Sequence, residues 1–122
     1  MRLFLAVLLF TNTSAVWAAL SVTSSDTQIL LNQQIQIEIE IDRATESTPD
    51  LNQLSQDFSV LGLERMILGQ ANRDHTVYRT RWYLNLIPRS TGELIIPALN
   101  IDGVRSEPLK IRVFSLPDQP EV

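Results

Sequence analysis

The sequence predicts an all-β fold: an antiparallel sandwich of about seven strands. Three observations carry that prediction. Apolar and polar residues alternate with period two over long stretches, turn residues recur every 8–12 positions, and no segment holds a sustained helical period. The 122 residues allow one small domain, and with 44% apolar and 20% charged residues the chain is built to fold around a core.

Taken in order, the first segment lies outside that fold. Arg2 supplies a positive start and Leu3 to Phe10 is an unbroken apolar run. Thr11 to Ser14 is polar, and Val16 and Ala18 place small residues before a cut, the pattern of a secretory signal peptide over residues 1–18. The apolar run is far shorter than the ~20 residues of a membrane-spanning helix. With Arg2 removed, the formal charge of −4 becomes −5.

Residues 19–116 form the expected sandwich. Leu20 to Thr23 and Thr27 to Leu31 flank the polar break Ser24-Ser25-Asp26, as the halves of a split first strand would. In Gln34 to Ile41, Ile35, Ile37, Ile39 and Ile41 share one face, and β-branched residues at that spacing suit a half-buried pleated strand. Each buried isoleucine contributes roughly 1.5–3 kcal/mol of transfer free energy. Asp42 to Ser55 is polar and contains Pro49-Asp50, so it reads as a connection with one helical turn near Leu51 to Leu54.

Phe58 to Leu68 is a strand whose apolar parity shifts around Gly62, which marks a bulge. Gly69 to Asp74 is expected to close a hairpin to the strand Thr76–Ile87. There Tyr78, Trp82, Leu84 and Leu86 share the core parity, while Arg79, Arg81, Tyr83 and Asn85 face outward. Pro88 ends the ladder and Pro88 to Gly92 is a turn, with Gly92 free to take positive φ. Leu94 to Leu99 is apolar on both faces and broken by Pro97, the mark of an edge strand or of a chain that switches sheets. Asp102-Gly103 is a compact hairpin turn between Ile101 and Val104, and Leu109, Ile111 and Val113 form a last alternating strand. From Pro117 the pattern is lost, so 117–122 reads as a linker or tail.

Composition excludes much chemistry. Without cysteine there is no disulfide, thiol nucleophile or cysteine-based metal site. The single histidine, His75, lies at a hairpin next to Asp74, where it reads as a surface residue. No GxSxG, HExxH or phosphate-binding glycine loop is present, and Ser24, Ser25 and Ser90 fall in turns where hydroxyls serve the backbone. Asp26, Asp42, Asp50, Asp57, Asp74 and Asp102 are spread one to a loop or strand end; turn chemistry accounts for them better than calcium binding does. No enzyme activity and no cofactor are expected. The acidic balance also argues against nucleic acid as a partner.

The residues that invite a functional reading are Arg79, Arg81 and Tyr83, side by side on the outward parity of one strand, with Arg73 near the hairpin. Arginine and tyrosine are enriched in interface hot spots, so this stripe is the candidate protein-contact surface. If the isoleucine strand lies beside it, Glu38 and Glu40 can pair with the arginines. The competing reading is a carbohydrate-binding or adhesin-like sandwich, for which Tyr83 and Phe114 are the available exposed aromatics.

The ordered set Pro49-Asp50-Leu51, Asp57-Phe58-Ser59-Val60-Leu61-Gly62, Trp82 to Pro88, Gly92, Ile96-Pro97, Ile101, Gly103, Ser106 to Pro108 and Ile111 to Val113 resembles the N-terminal region of BatD proteins, the bacterial oxygen-tolerance or aerotolerance family. The resemblance runs from about Leu20 to Phe114. It implies an immunoglobulin-like sandwich, exported to the periplasm, that works by protein contact in the cell envelope without a catalytic residue. It also implies a partner: family members are encoded beside von Willebrand A-domain proteins and an AAA-type ATPase, so an A-domain envelope protein is the expected one. Longer members carry further sandwich domains and a C-terminal membrane anchor. Against them this chain, ending at Val122, reads as a short or truncated member that would meet the membrane only through a missing anchor or a partner.

Overall fold

The computed structural model describes residues 20–115, so the signal peptide expected over 1–18 and the tail over 117–122 lie outside the described residues. The described chain is an immunoglobulin-like β-sandwich with a single short 3₁₀ turn, Asn52–Gln56, and no α-helix. Nine strands are formed: β1 (Leu20–Ser24), β2 (Gln28–Leu30), β3 (Ile35–Ile41), β4 (Phe58–Ala71), β5 (Thr76–Pro88), β6 (Gly92–Ile96), β7 (Asn100–Ile101), β8 (Val104–Arg105) and β9 (Leu109–Phe114). They exceed the expected seven because the split first strand counts twice and β7–β8 is a separate two-residue ladder.

One sheet has the order β1-β3-β5-β4 and the other the order β2-β9-β6. The break at Ser24-Ser25-Asp26 therefore does more than interrupt a strand: it carries the chain from one sheet to the other. β1 pairs antiparallel with β3, whereas β2 pairs parallel with β9, the one departure from the antiparallel expectation. The Ser24 hydroxyl donates to the Asp26 carbonyl and accepts from the Asp26 N–H, which steadies the crossing.

The core lies between the sheets. Ile35, Ile37, Ile39 and Ile41 are all buried, as their alternation requires, and meet Trp82, Leu84 and Leu86 on β5. From the opposite sheet come Ile29, Leu94, Ile96, Ile111 and Val113. Trp82 is buried as expected; its Nε1–H finds no acceptor. Leu54, from the 3₁₀ turn, and Phe58 close one end.

Local signals hold at several turns. Asp102 and Gly103 take φ of 53° and 78°, the doubly left-handed turn that the dipeptide favours, and Gly92 takes φ of 108°. The β4 bulge falls between Val60 and Gly62, leaving Leu61 without a partner on β5. The strand expected over Leu94–Leu99 runs instead over Gly92–Ile96, stopping before Pro97, and it is an edge strand. The largest correction concerns Gly69 to Asp74. β4 continues in ladder through Ala71↔Thr76, so the turn is only Arg73-Asp74, closed by the Asn72 N–H donating to the His75 carbonyl at 2.7 Å.

β4 and β5, with 14 and 13 residues, outrun β3, with seven. Pairing of β3 with β5 ends at Ile41↔Thr80, and from there to the turn β4 and β5 form a two-stranded ribbon. The segment after β3 crosses beneath them at that point. The Thr80 hydroxyl donates to the Arg43 carbonyl at 2.7 Å and accepts from the Thr45 N–H at 3.0 Å, and the Arg65 guanidinium donates to the Thr45 carbonyl at 3.0 Å. This strap closes the core. Tyr78, which shares the core parity, lies past it and is 49% exposed, contrary to the expectation from alternation alone.

Candidate interaction face

The outward surface of the four-stranded sheet is built by register. Opposite Arg81 stands Glu40, and opposite Tyr83 stands Glu38; on the other flank Met66 faces Arg81, Glu64 faces Tyr83 and Leu68 faces Arg79. β3 is thus the cross-strand neighbour that the pairing of Glu38 and Glu40 with the arginines requires. Antiparallel neighbours on one face lie about 4.5–5.5 Å apart at Cβ, within easy reach of these side chains.

Arg81 is the centre of the arrangement. Its Nη2 and Nε lie 2.7 and 3.0 Å from Glu40 Oε1, and its Nε also lies 3.3 Å from Glu38 Oε1. Its Nη1 donates to the Tyr83 hydroxyl at 3.2 Å. Hydrogen bonding to Tyr83, then to Glu40, holds the Arg81 guanidinium charged even further above its ordinary range. Arg79 is held more loosely, with Nη1 3.6 Å from Glu40 Oε2 and its side chain 49% exposed.

The three expected residues are therefore brought together, and their character differs from a basic stripe. Glu38, Glu40 and Glu64 share the face with Arg79 and Arg81, so its charge is compensated. The arrangement offers a guanidinium, a phenol and carboxylates in fixed positions; a partner would meet oriented hydrogen-bonding groups with little reordering. Arg73 is not part of it, since it occupies the turn at the far end of the ribbon. A groove lined by Thr23, Ser24, Ser25, Gln36, Glu38 and Tyr83 borders the face at one end, and one lined by Leu68, Gly69, Gln70, Val77 and Arg79 at the other.

This chain matches the family model described as the BatD DUF11-like domain over residues 22–113. The chain belongs to the BatD family. No curated protein and no solved structure matches it.

In this BatD domain, other polar residues hold the connections between strands. Asp50 Oδ1 accepts from the Asn52 N–H at 3.0 Å, and Asp102 accepts from the Ser47 hydroxyl. Hydrogen bonds from Ser47 and then Thr45 lower the Asp102 carboxyl below its ordinary value. Among the described residues no three His, Asp or Glu side chains converge as a metal site would require, and no helix is long and apolar enough to cross a membrane. Tyr83 and Phe114 lie on opposite sheets with their side chains outward, so they do not form one aromatic platform. Sequence reasoning missed the exposed apolar residues of the ribbon, Val77 and Tyr78. The signal for them was the length of the two strand patterns relative to Ile35–Ile41, since the excess must protrude.

Proposed function

We propose that this BatD-family domain is a non-enzymatic protein-interaction module of the bacterial periplasm, acting in oxygen tolerance by contacting an envelope protein that carries a von Willebrand A domain. Membership of the family supports the envelope setting, and the leader-like pattern of residues 1–18 supports export. The observation that carries the contact surface is Arg81 fixed between Glu40 and Tyr83, with Arg79 beside it and half exposed. Such preorganised Arg and Tyr side chains contribute to binding without the ordering cost of free ones.

The test is capture by cross-linking in the periplasm, followed by identification of the captured proteins. The variant is Arg79→Ala with Tyr83→Ala. Arg81 is left in place, because reversing it would set a carboxylate against Glu38 and Glu40 and perturb the sheet. Capture of an A-domain protein by the parent chain, reduced at least tenfold in the folded variant, is the expected result. Undiminished capture by the variant would remove this face from the reading.

A further inference from the structure

Among the described residues β4 has no neighbour on its outer side and forms the longest open edge. Which of its backbone groups face that edge follows from the turn. Asn72 and His75 close it as a hydrogen-bonded pair, and such pairs alternate with non-hydrogen-bonded ones along an antiparallel ladder. Register is unbroken from Gly62 to Ala71, so Gln70↔Val77, Leu68↔Arg79 and Met66↔Arg81 exchange bonds with β5. Ala71, Gly69, Ile67 and Arg65 then direct their N–H and C=O groups away from β5, into the open edge.

Natural sheets guard such edges with lysine, proline, bulges or inward-pointing charges. β4 contains no lysine and no proline. Its bulge lies at Leu61, and its one charge on the inner parity, Arg65, is turned aside to the Thr45 carbonyl. Leu63–Ala71 is left unguarded, with Met66 45% and Ile67 48% exposed.

We propose that a second copy of this chain pairs antiparallel along this edge, with the twofold axis at Ile67, joining two four-stranded sheets into one. The edge is self-complementary in that register. Ile67 meets Ile67 of the second copy, Met66 meets Leu68, Arg65 meets Gly69, Glu64 meets Gln70 and Leu63 meets Ala71. No like charges stand opposite each other, whereas an axis at Arg65 or Glu64 would set like against like. The odd-numbered residues that face the edge fall on hydrogen-bonded pairs, so the donors and acceptors idle in one copy are satisfied by the other. This pairing is independent of the A-domain reading and uses none of the Arg79, Arg81 and Tyr83 side chains.

The absence of cysteine makes the test direct, because one introduced thiol can cross-link only to another copy. Hydrogen-bonded antiparallel pairs place Cα atoms ≈ 5.5 Å apart, within the disulfide range of about 4.4–6.8 Å. Mild oxidation of the full chain carrying Ile67→Cys is expected to give a disulfide dimer at least tenfold faster than the chain carrying Glu93→Cys, a substitution on the other sheet. Sedimentation equilibrium is expected to show a dimer for the parent chain. It should show monomer for Ile67→Lys, which leaves the backbone donors in place and opposes two ammonium groups at the axis. A monomeric parent chain, equal cross-linking rates at the two positions, or a folded Ile67→Lys chain that still dimerises overturns the proposal. So does a parent chain that stays monomeric while an extended peptide from another protein occupies the edge.

Discussion

Thr80 interrupts an apolar series and yet is fully buried, because its hydroxyl joins two segments the sequence keeps far apart. It donates to the Arg43 carbonyl and accepts from the Thr45 N–H. Thr80→Val keeps the shape and strand propensity but strands both backbone groups, and an unsatisfied buried polar group costs about 1–3 kcal/mol. Chemical denaturation is expected to show a loss of that size, largely restored in Thr80→Ser. Asp102 offers a second residue-scale test. Its carboxyl is lowered below its ordinary value in the folded chain by the Ser47 and then the Thr45 hydrogen bonds. A lowered carboxyl stabilises the fold above its unfolded value, and that contribution is lost as pH falls through the folded value. Asp102→Asn tolerates the left-handed backbone and cannot ionise. Thermal melting midpoints of parent and variant should therefore differ at neutral pH and converge as the medium is taken below about pH 4, the ordinary carboxylate range.

At the scale of elements, the β4–β5 ribbon is the feature that departs most from the local signals. Glycine at 69 is a poor strand former, and with Asn72, Arg73 and Asp74 close behind it the segment reads by composition as a turn. Gly69 and Gln70 are held in ladder by what lies across from them. Gly69 pairs with Tyr78, whose ring covers the glycine so closely that a Cβ there would come 3.2 Å from Tyr78 Cε1. An aromatic laid over a cross-strand glycine fills the space that a side chain would otherwise pack. A two-stranded ribbon is at best marginally stable alone in water, so the cover matters. Tyr78→Ala is expected to raise amide hydrogen exchange over residues 68–79 while leaving the protection of β3 and the 80–88 half of β5 unchanged. Exchange measured by mass spectrometry would read both regions at once, and equal protection in the two chains would remove the role given to Tyr78. Elsewhere elements were legible because the determinants were local: Asp102-Gly103 specifies its turn, and the four isoleucines of β3 specify its face.

For the whole molecule, the decisive feature is that the first strand is divided between sheets. β1 closes one side of the four-stranded sheet, and β2 adds a parallel edge to the other, so the N-terminal segment of the sandwich ties its two layers together. The 42–57 strap is fastened to the four-stranded sheet through Thr80 and Arg65, and its Leu54 is buried in the core. Between these ties the core is supplied from both sheets, which a domain without disulfides depends on entirely. The candidate face also exists only at this scale, since Glu40 and Arg81 are 41 residues apart in the chain. By itself, the sequence determined that the chain is all-β, which side chains point inward on its best strands, where most turns fall, and the family to which it belongs. Alternation and turn propensity are properties of neighbouring residues, so they can be read without knowing the fold. Only the tertiary structure decided which strands lie beside one another, and with that three further things: the pairing that neutralises Arg81, the strap that ends the core at Thr80, and the open edge of β4. Each of these rests on contact between distant segments, where register and relative strand length, rather than local preference, set which groups meet and which remain exposed.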